Sequence, residues 1–116
     1  MTNFKTTFYN KLVRDKIPEL LCERGIECST KILQEYEYSD ALQKKLQEEV
    51  SEFFAAKEKE HKIEELADVL EVLHALVEAS GATMDELENI RLAKCKQRGS
   101  FKKRLFLEQT ISKVTE

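Results

Sequence analysis

A mostly α-helical fold is what this sequence predicts, on three observations. Glycine and proline are scarce, three and one in 116 residues, whereas β architectures use both at their many turns. Two central stretches, 40–56 and 63–80, repeat apolar residues at helical spacing. The glycines follow such segments, at Gly25, Gly81 and Gly99, where a left-handed residue commonly ends a helix.

Residues 1–14 read as irregular or extended, with the β-formers Phe4, Thr6, Thr7, Phe8 and Tyr9. Asp15 is placed to cap a short helix, because Pro18 then falls in its first turn, where a missing N–H costs little. That helix, IPELLCER, stops at Gly25. IECSTKIL, residues 26–33, alternates and reads as a strand. Ser39 is the expected cap of a long helix reaching residues 56–59, and KEKEHK is either its solvated end or the turn that follows. The next helix runs over 63–80. In TMDE, Thr83 and Glu86 have capping-box spacing and open a helix that ends at Arg98. The tail SFKKRLFLEQTISK reads as a strand over 101–107, pairing with 26–33, or as an arm. No repeat or low-complexity linker interrupts the chain. Residues 1–116 therefore read as one domain, of a size that buries roughly two thirds of its unfolded surface.

Composition narrows the function classes. With 41% hydrophobic and 35% charged residues the chain reads as soluble and cytoplasmic: no apolar run approaches the ~18 residues of a membrane span, and no apolar leader opens it. Cys22, Cys28 and Cys95 are odd in number and lack CxxC spacing, so they suggest reduced thiols and neither a disulfide framework nor a zinc knuckle. Net charge is −3, unevenly spread. Nine acids between Glu48 and Glu71 face three lysines, whereas Lys94–Arg104 holds six basic residues and no acid. An acidic centre and a basic segment suit a metal and a phosphate.

The acids themselves carry the chemistry. At about 100° per residue, Leu42, Leu46, Val50, Phe53 and Phe54 form an apolar stripe on the helix after Ser39, with Glu49 and Glu52 along its edge and Glu48 just beyond. In the next helix Ile63, Leu66, Ala67, Leu70, Leu73 and Val77 make one apolar face. Val69, Val72 and Leu76 make a second, in which Glu65 and Asp68 are embedded. This second face is the expected surface for either another copy of the chain or the fourth helix. Ionised carboxylates among Val and Leu need a partner, and no Lys or Arg lies between Ile63 and Ser80 to supply one. Glu49 with Glu52, and Glu65 with Asp68, are each three apart, so each pair projects from one side. Antiparallel packing would bring four carboxylates together, an all-oxygen set suited to Mg²⁺ or Mn²⁺. Singly, each ExxE or ExxD spacing is ordinary on a charged helix surface; two on adjacent helices, both bordering apolar faces, point to metal.

EEVSE, with twelve residues between Glu52 and the Glu65 of EELAD, resembles the EExxE…ExxD signature of the MazG-like all-α nucleoside triphosphate pyrophosphatases. YNKLVRDKIPEL and KCKQRGSF look like the small single-domain branch of phosphoribosyl-ATP pyrophosphohydrolase-like, house-cleaning enzymes, and the similarity runs from Tyr9 to about Phe106. The resemblance implies a four-helix-type bundle, a homodimer or higher homo-oligomer, and hydrolysis of a nucleoside triphosphate between the α and β phosphates. It implies Glu49, Glu52, Glu65 and Asp68 as Mg²⁺ ligands, with Glu48 as an auxiliary acid. A water attacking the α-phosphorus would have Glu52 or Glu48 as general base. Lys94 and Arg98 would reach the outer phosphates, with Lys11 and Arg14 closing from the N-terminal segment, and Tyr9 and Asn10 are the candidates for base contact. Which base or modified nucleotide is cleaved is not written in these residues.

Two rivals use other residues. A di-iron carboxylate bundle would use the ExxH spacings Glu58/His61 and Glu71/His74. The first, however, sits in a polar stretch, and in the second Glu71 is turned away from His74. A single-strand-binding helical module would use Lys94–Arg104, with Phe101 and Phe106 as stacking platforms. The negative net charge and the lack of a known nucleic-acid-binding signature argue against it.

Overall fold

The computed structural model describes residues 3–115 and contains four helices, α1 (Ile17–Glu23), α2 (Glu35–Ala55), α3 (Lys59–Ala79) and α4 (Met84–Arg98). The fold is all-α: no strand occurs among the described residues. None of these helices is long and apolar enough to cross a membrane. The chain divides into two compact units, one running to Ala82 and the other starting at Thr83.

Both expected strands, 26–33 and 101–107, are irregular backbone. The first is pre-empted at its start. Gly25, at φ 76°, donates to the Cys22 carbonyl and Ile26 donates to that of Leu21. That pair of bonds is the Schellman closure of α1, so Ile26 belongs to a helix end. Ile32 is 99% exposed, so the alternation of 26–33 has no apolar layer to face. In the second, Arg104 adopts φ 56° and donates to the Phe101 carbonyl, a turn that interrupts any strand.

Helix starts differ from the expected ones for identifiable reasons. Helix α2 begins at Glu35, before Ser39, because Gln34 and Glu37 form a reciprocal capping box that satisfies two orphan N–H groups. The short helix starts after Lys16 instead of Asp15, with Ile17 donating to the Arg14 carbonyl. Helix α3 begins at Lys59, so KEHK forms its first turn and only residues 56–58 connect it to α2. In the second unit, the expected cap forms: the Glu86 N–H donates to Thr83 Oγ1 at 3.2 Å, α4 extends to Arg98, and Arg91 pairs with Glu88.

Two 21-residue helices joined by so short a connection must run antiparallel, and α2 packs along α3. Leu42, Leu46, Glu49 and Phe53 form the α2 side of the contact, while Phe54, expected in that stripe, is exposed. On α3 the inward face carries Glu65, Asp68, Val69, Val72 and Leu76. This corrects the assignment of Val69, Val72 and Leu76 to another copy or to the fourth helix: they line the seam with α2. The other apolar face is the open one, with Ile63, Leu66 and Leu70 exposed. The core is correspondingly thin, and Leu42 and Val72 are its buried apolar side chains among the described residues.

Candidate metal centre

Helix register places the acids. Glu49 lies seven positions after Leu42, two turns along the same face, so the seam that buries Leu42 also buries Glu49. Sequence reasoning set Glu49 at the edge of the stripe; it lies inside, 7% exposed. Glu65 and Asp68 face it from α3. Carboxylate oxygens from Glu49, Glu65 and Asp68 all lie within 4.8 Å of one another. No other such group of acids, histidines or cysteines occurs among the described residues.

Electrostatically the cluster is under-neutralised. Oε2 of Glu49 and Oε2 of Glu65 are shut away from solvent without a hydrogen-bond partner. Burial, followed by the negative charges of Glu52 and Asp68, pushes the Glu49 carboxyl up from 4.5 to about 7. Burial and the carboxylate of Glu52 raise Glu65 as well. Glu48 behaves in the opposite way: burial raises it, but hydrogen bonds from Lys11 and Lys45, both 3.3 Å away, outweigh that and leave it lowered. A carboxylate held by two ammonium groups is a poor proton acceptor.

Glu52, expected as a fourth ligand, is exposed and falls outside the 4.8 Å group, but it adjoins the trio, close enough for its carboxylate to raise both Glu49 and Glu65. It lines an open hollow between the end of α2 and the start of α3, together with Ala55, Ala56, His61, Glu64 and Glu65. His61 joins this hollow because α3 starts earlier than its sequence suggests. The N-terminal segment reaches the same region. Arg14 Nη2 lies 2.6 Å from Asp68 Oδ1, and Lys11 pairs with Glu48. Tyr9 and Asn10 are exposed, with the Lys11 ammonium 5.7 Å above the Tyr9 ring and Asn10 at φ 47°, a left-handed conformation that Asn tolerates. Lys94 and Arg98 are exposed on α4, one turn apart, in the second unit. Sequence reasoning missed Lys45, whose Nζ lies 3.5 Å from Glu49 Oε1; the only signal was its position one turn before the double Glu.

The donor set fits a hard divalent cation. Carboxylate oxygens are the ligands that Mg²⁺ and Mn²⁺ prefer, and Glu49, Glu65 and Asp68 are the residues that would hold such an ion. Two orphaned buried oxygens are what a cation would satisfy. Histidine is absent from the trio, which disfavours the di-iron arrangement. Comparison with protein-family models, curated proteins and solved structures finds no match to this chain.

Proposed function

We propose that this protein is a Mg²⁺-dependent nucleoside triphosphate pyrophosphohydrolase of the MazG-like kind. The observation that carries the reading is the unpartnered, buried Oε2 of Glu49 set against Glu65 and Asp68. Arg14 and Lys45 each pair with one carboxylate of the three, yet Oε2 of Glu49 and Oε2 of Glu65 still have no partner of their own. A bound divalent ion would screen phosphate charge and acidify water, with Glu49, Glu65 and Asp68 holding it. The chain's own groups do the rest. Glu52, exposed at the hollow, accepts the proton of the water that attacks the α-phosphorus; the bond to the bridging oxygen breaks and pyrophosphate leaves. Glu48 is a second-choice base because Lys11 and Lys45 already occupy it. Arg14 and Lys11 exchange their carboxylate partners for phosphate oxygens, which a guanidinium can grip in bidentate fashion. Lys94 and Arg98 remain proposed phosphate contacts on the resemblance alone, and Tyr9 and Asn10 proposed base contacts.

The deciding experiment screens canonical and modified nucleoside triphosphates, and phosphoribosyl-ATP, with Mg²⁺, measuring pyrophosphate and orthophosphate separately. Metal-dependent pyrophosphate release supports the reading; no turnover of any of these by folded, metal-loaded protein sinks it. Arg14→Gln separates the roles of that side chain. It should bind Mn²⁺ at least as tightly as wild type, since Asp68 is released, while KM for the triphosphate rises about 10- to 100-fold, the ~1.5–3 kcal/mol of a hydrogen bond to a charged group. Unchanged KM would remove Arg14 from the substrate site.

A homodimer or higher homo-oligomer belongs to the same proposal. Two buried apolar side chains among the described residues are too thin a core for a chain of this length, and the exposed Ile63, Leu66 and Leu70 stripe is the surface we assign to the second copy. Sedimentation at micromolar concentration should give a dimer or larger for wild type and a monomer or aggregate for Leu66→Glu. A wild-type monomer would contradict the assignment.

A further inference from the structure

We propose that Lys45 is the positioning residue of the carboxylate centre: its ammonium holds one oxygen of Glu49 so that the other is presented to the cation shared with Glu65 and Asp68. This rests on the metal reading above. Lys45 stands three positions before Glu48 and four before Glu49 on α2, hence on their side of the helix. Its Nζ lies 3.3 Å from both oxygens of Glu48 and 3.5 Å from Oε1 of Glu49. The remaining oxygen, Oε2 of Glu49, is the buried atom without a partner. One carboxylate is thus divided, with one oxygen tied back along its own helix and the other free to face α3.

The same ammonium, with Lys11, holds Glu48 away from the trio. Two adjacent glutamates consequently acquire different duties: Glu49 turns into the seam and Glu48 stays paired outside it. Helix energetics do not explain the lysine. A Lys placed before its Glu partner is the weaker order of an i,i+4 pair, and the Lys45 side chain is only 17% exposed, so ordering it costs side-chain entropy. An ammonium has three donors on one compact atom, which suits a group that must touch three oxygens of two carboxylates.

Positioning and charge predict opposite signs. Deleting a positive charge beside a cation site strengthens cation binding if charge is all that Lys45 contributes. Losing a group that orients a ligand weakens it about 10- to 100-fold. Mn²⁺ affinity of the full chain, read by electron paramagnetic resonance at fixed pH, is therefore the test. Lys45→Met should bind Mn²⁺ about 10- to 100-fold more weakly, with Lys45→Arg restoring most of the affinity. Equal or tighter binding by Lys45→Met overturns the proposal, as does a Lys45→Arg protein as weak as Lys45→Met. If circular dichroism shows Lys45→Met unfolded, Lys45→Gln is judged by the same criterion. Wild-type protein that binds no Mn²⁺ overturns the metal reading itself, an outcome distinct from a failure confined to the variants.

Discussion

Glu52→Gln is expected to lower Mg²⁺-dependent pyrophosphate release by about 10²- to 10⁴-fold, the range a positioned general base contributes, while leaving Mn²⁺ affinity within about one order of magnitude. The asymmetry follows from placement. Glu52 is exposed and lines the hollow, whereas Glu49, Glu65 and Asp68 bring their oxygens within 4.8 Å of one another. Asp68→Asn is expected to do the reverse, losing metal affinity first and turnover in consequence, because an amide presents a neutral oxygen to the cation. Metal titration followed by pyrophosphate assay on both variants separates the two roles. Full kcat in Glu52→Gln would return the proton-accepting role to Glu48 or to solvent.

The second expectation concerns pH and stability without metal. The folded Glu49 carboxyl lies at about 7, raised from 4.5 by burial and then by Glu52 and Asp68. The native state therefore holds this proton more tightly than the unfolded chain. Its contribution is fully present below about pH 4.5 and is lost as pH rises through about 7. Glu65 is shifted in the same direction and adds to the trend. Glu48, lowered in the fold, acts with the opposite sign: its contribution is present above 4.5 and disappears in acid. Urea denaturation should show apo wild type losing on the order of 2 kcal/mol relative to Glu49→Gln between pH 4.5 and 8. Mg²⁺ should recover that loss in wild type and not in the variant. Parallel curves for the two proteins would mean that Glu49 titrates normally and is not confined as described.

The features legible in the sequence were those written in local chemistry. Gly81 ends α3 at φ 79° and Thr83 caps α4, both because the motif lies within a few consecutive residues. The carboxylate spacing was legible too, since i,i+3 pairs project together on any helix. What was not legible depends on partners distant in the chain. Ser39 and Gln34 are both adequate caps; the choice fell to Gln34 because Glu37 completes its box, which lengthens α2 at its start. The two apolar faces of α3 look equivalent on a helical wheel, and only docking against α2 selects the one bearing Glu65 and Asp68. Segment 26–33 has the alternation of a strand but no neighbouring strand to satisfy its backbone. Lys45 resembles any solvated lysine until the double Glu is seen turned against it.

The three-residue connection between α2 and α3 also governs which changes in length the molecule can absorb. Extra residues at 56–58 lie outside both helices, and each doubling of a flexible loop costs only about 0.6 kcal/mol. A single residue inserted between Glu58 and Glu65 would rotate everything beyond it by about 100°, carrying Glu65 and Asp68 off the seam together with Val69, Val72 and Leu76. Length variation is thus tolerable at the hinge of the hairpin and ruinous a turn later. A natural or designed lineage of this chain could lengthen its connector freely, while the helical segments on either side keep a fixed count from the connector to the carboxylate trio.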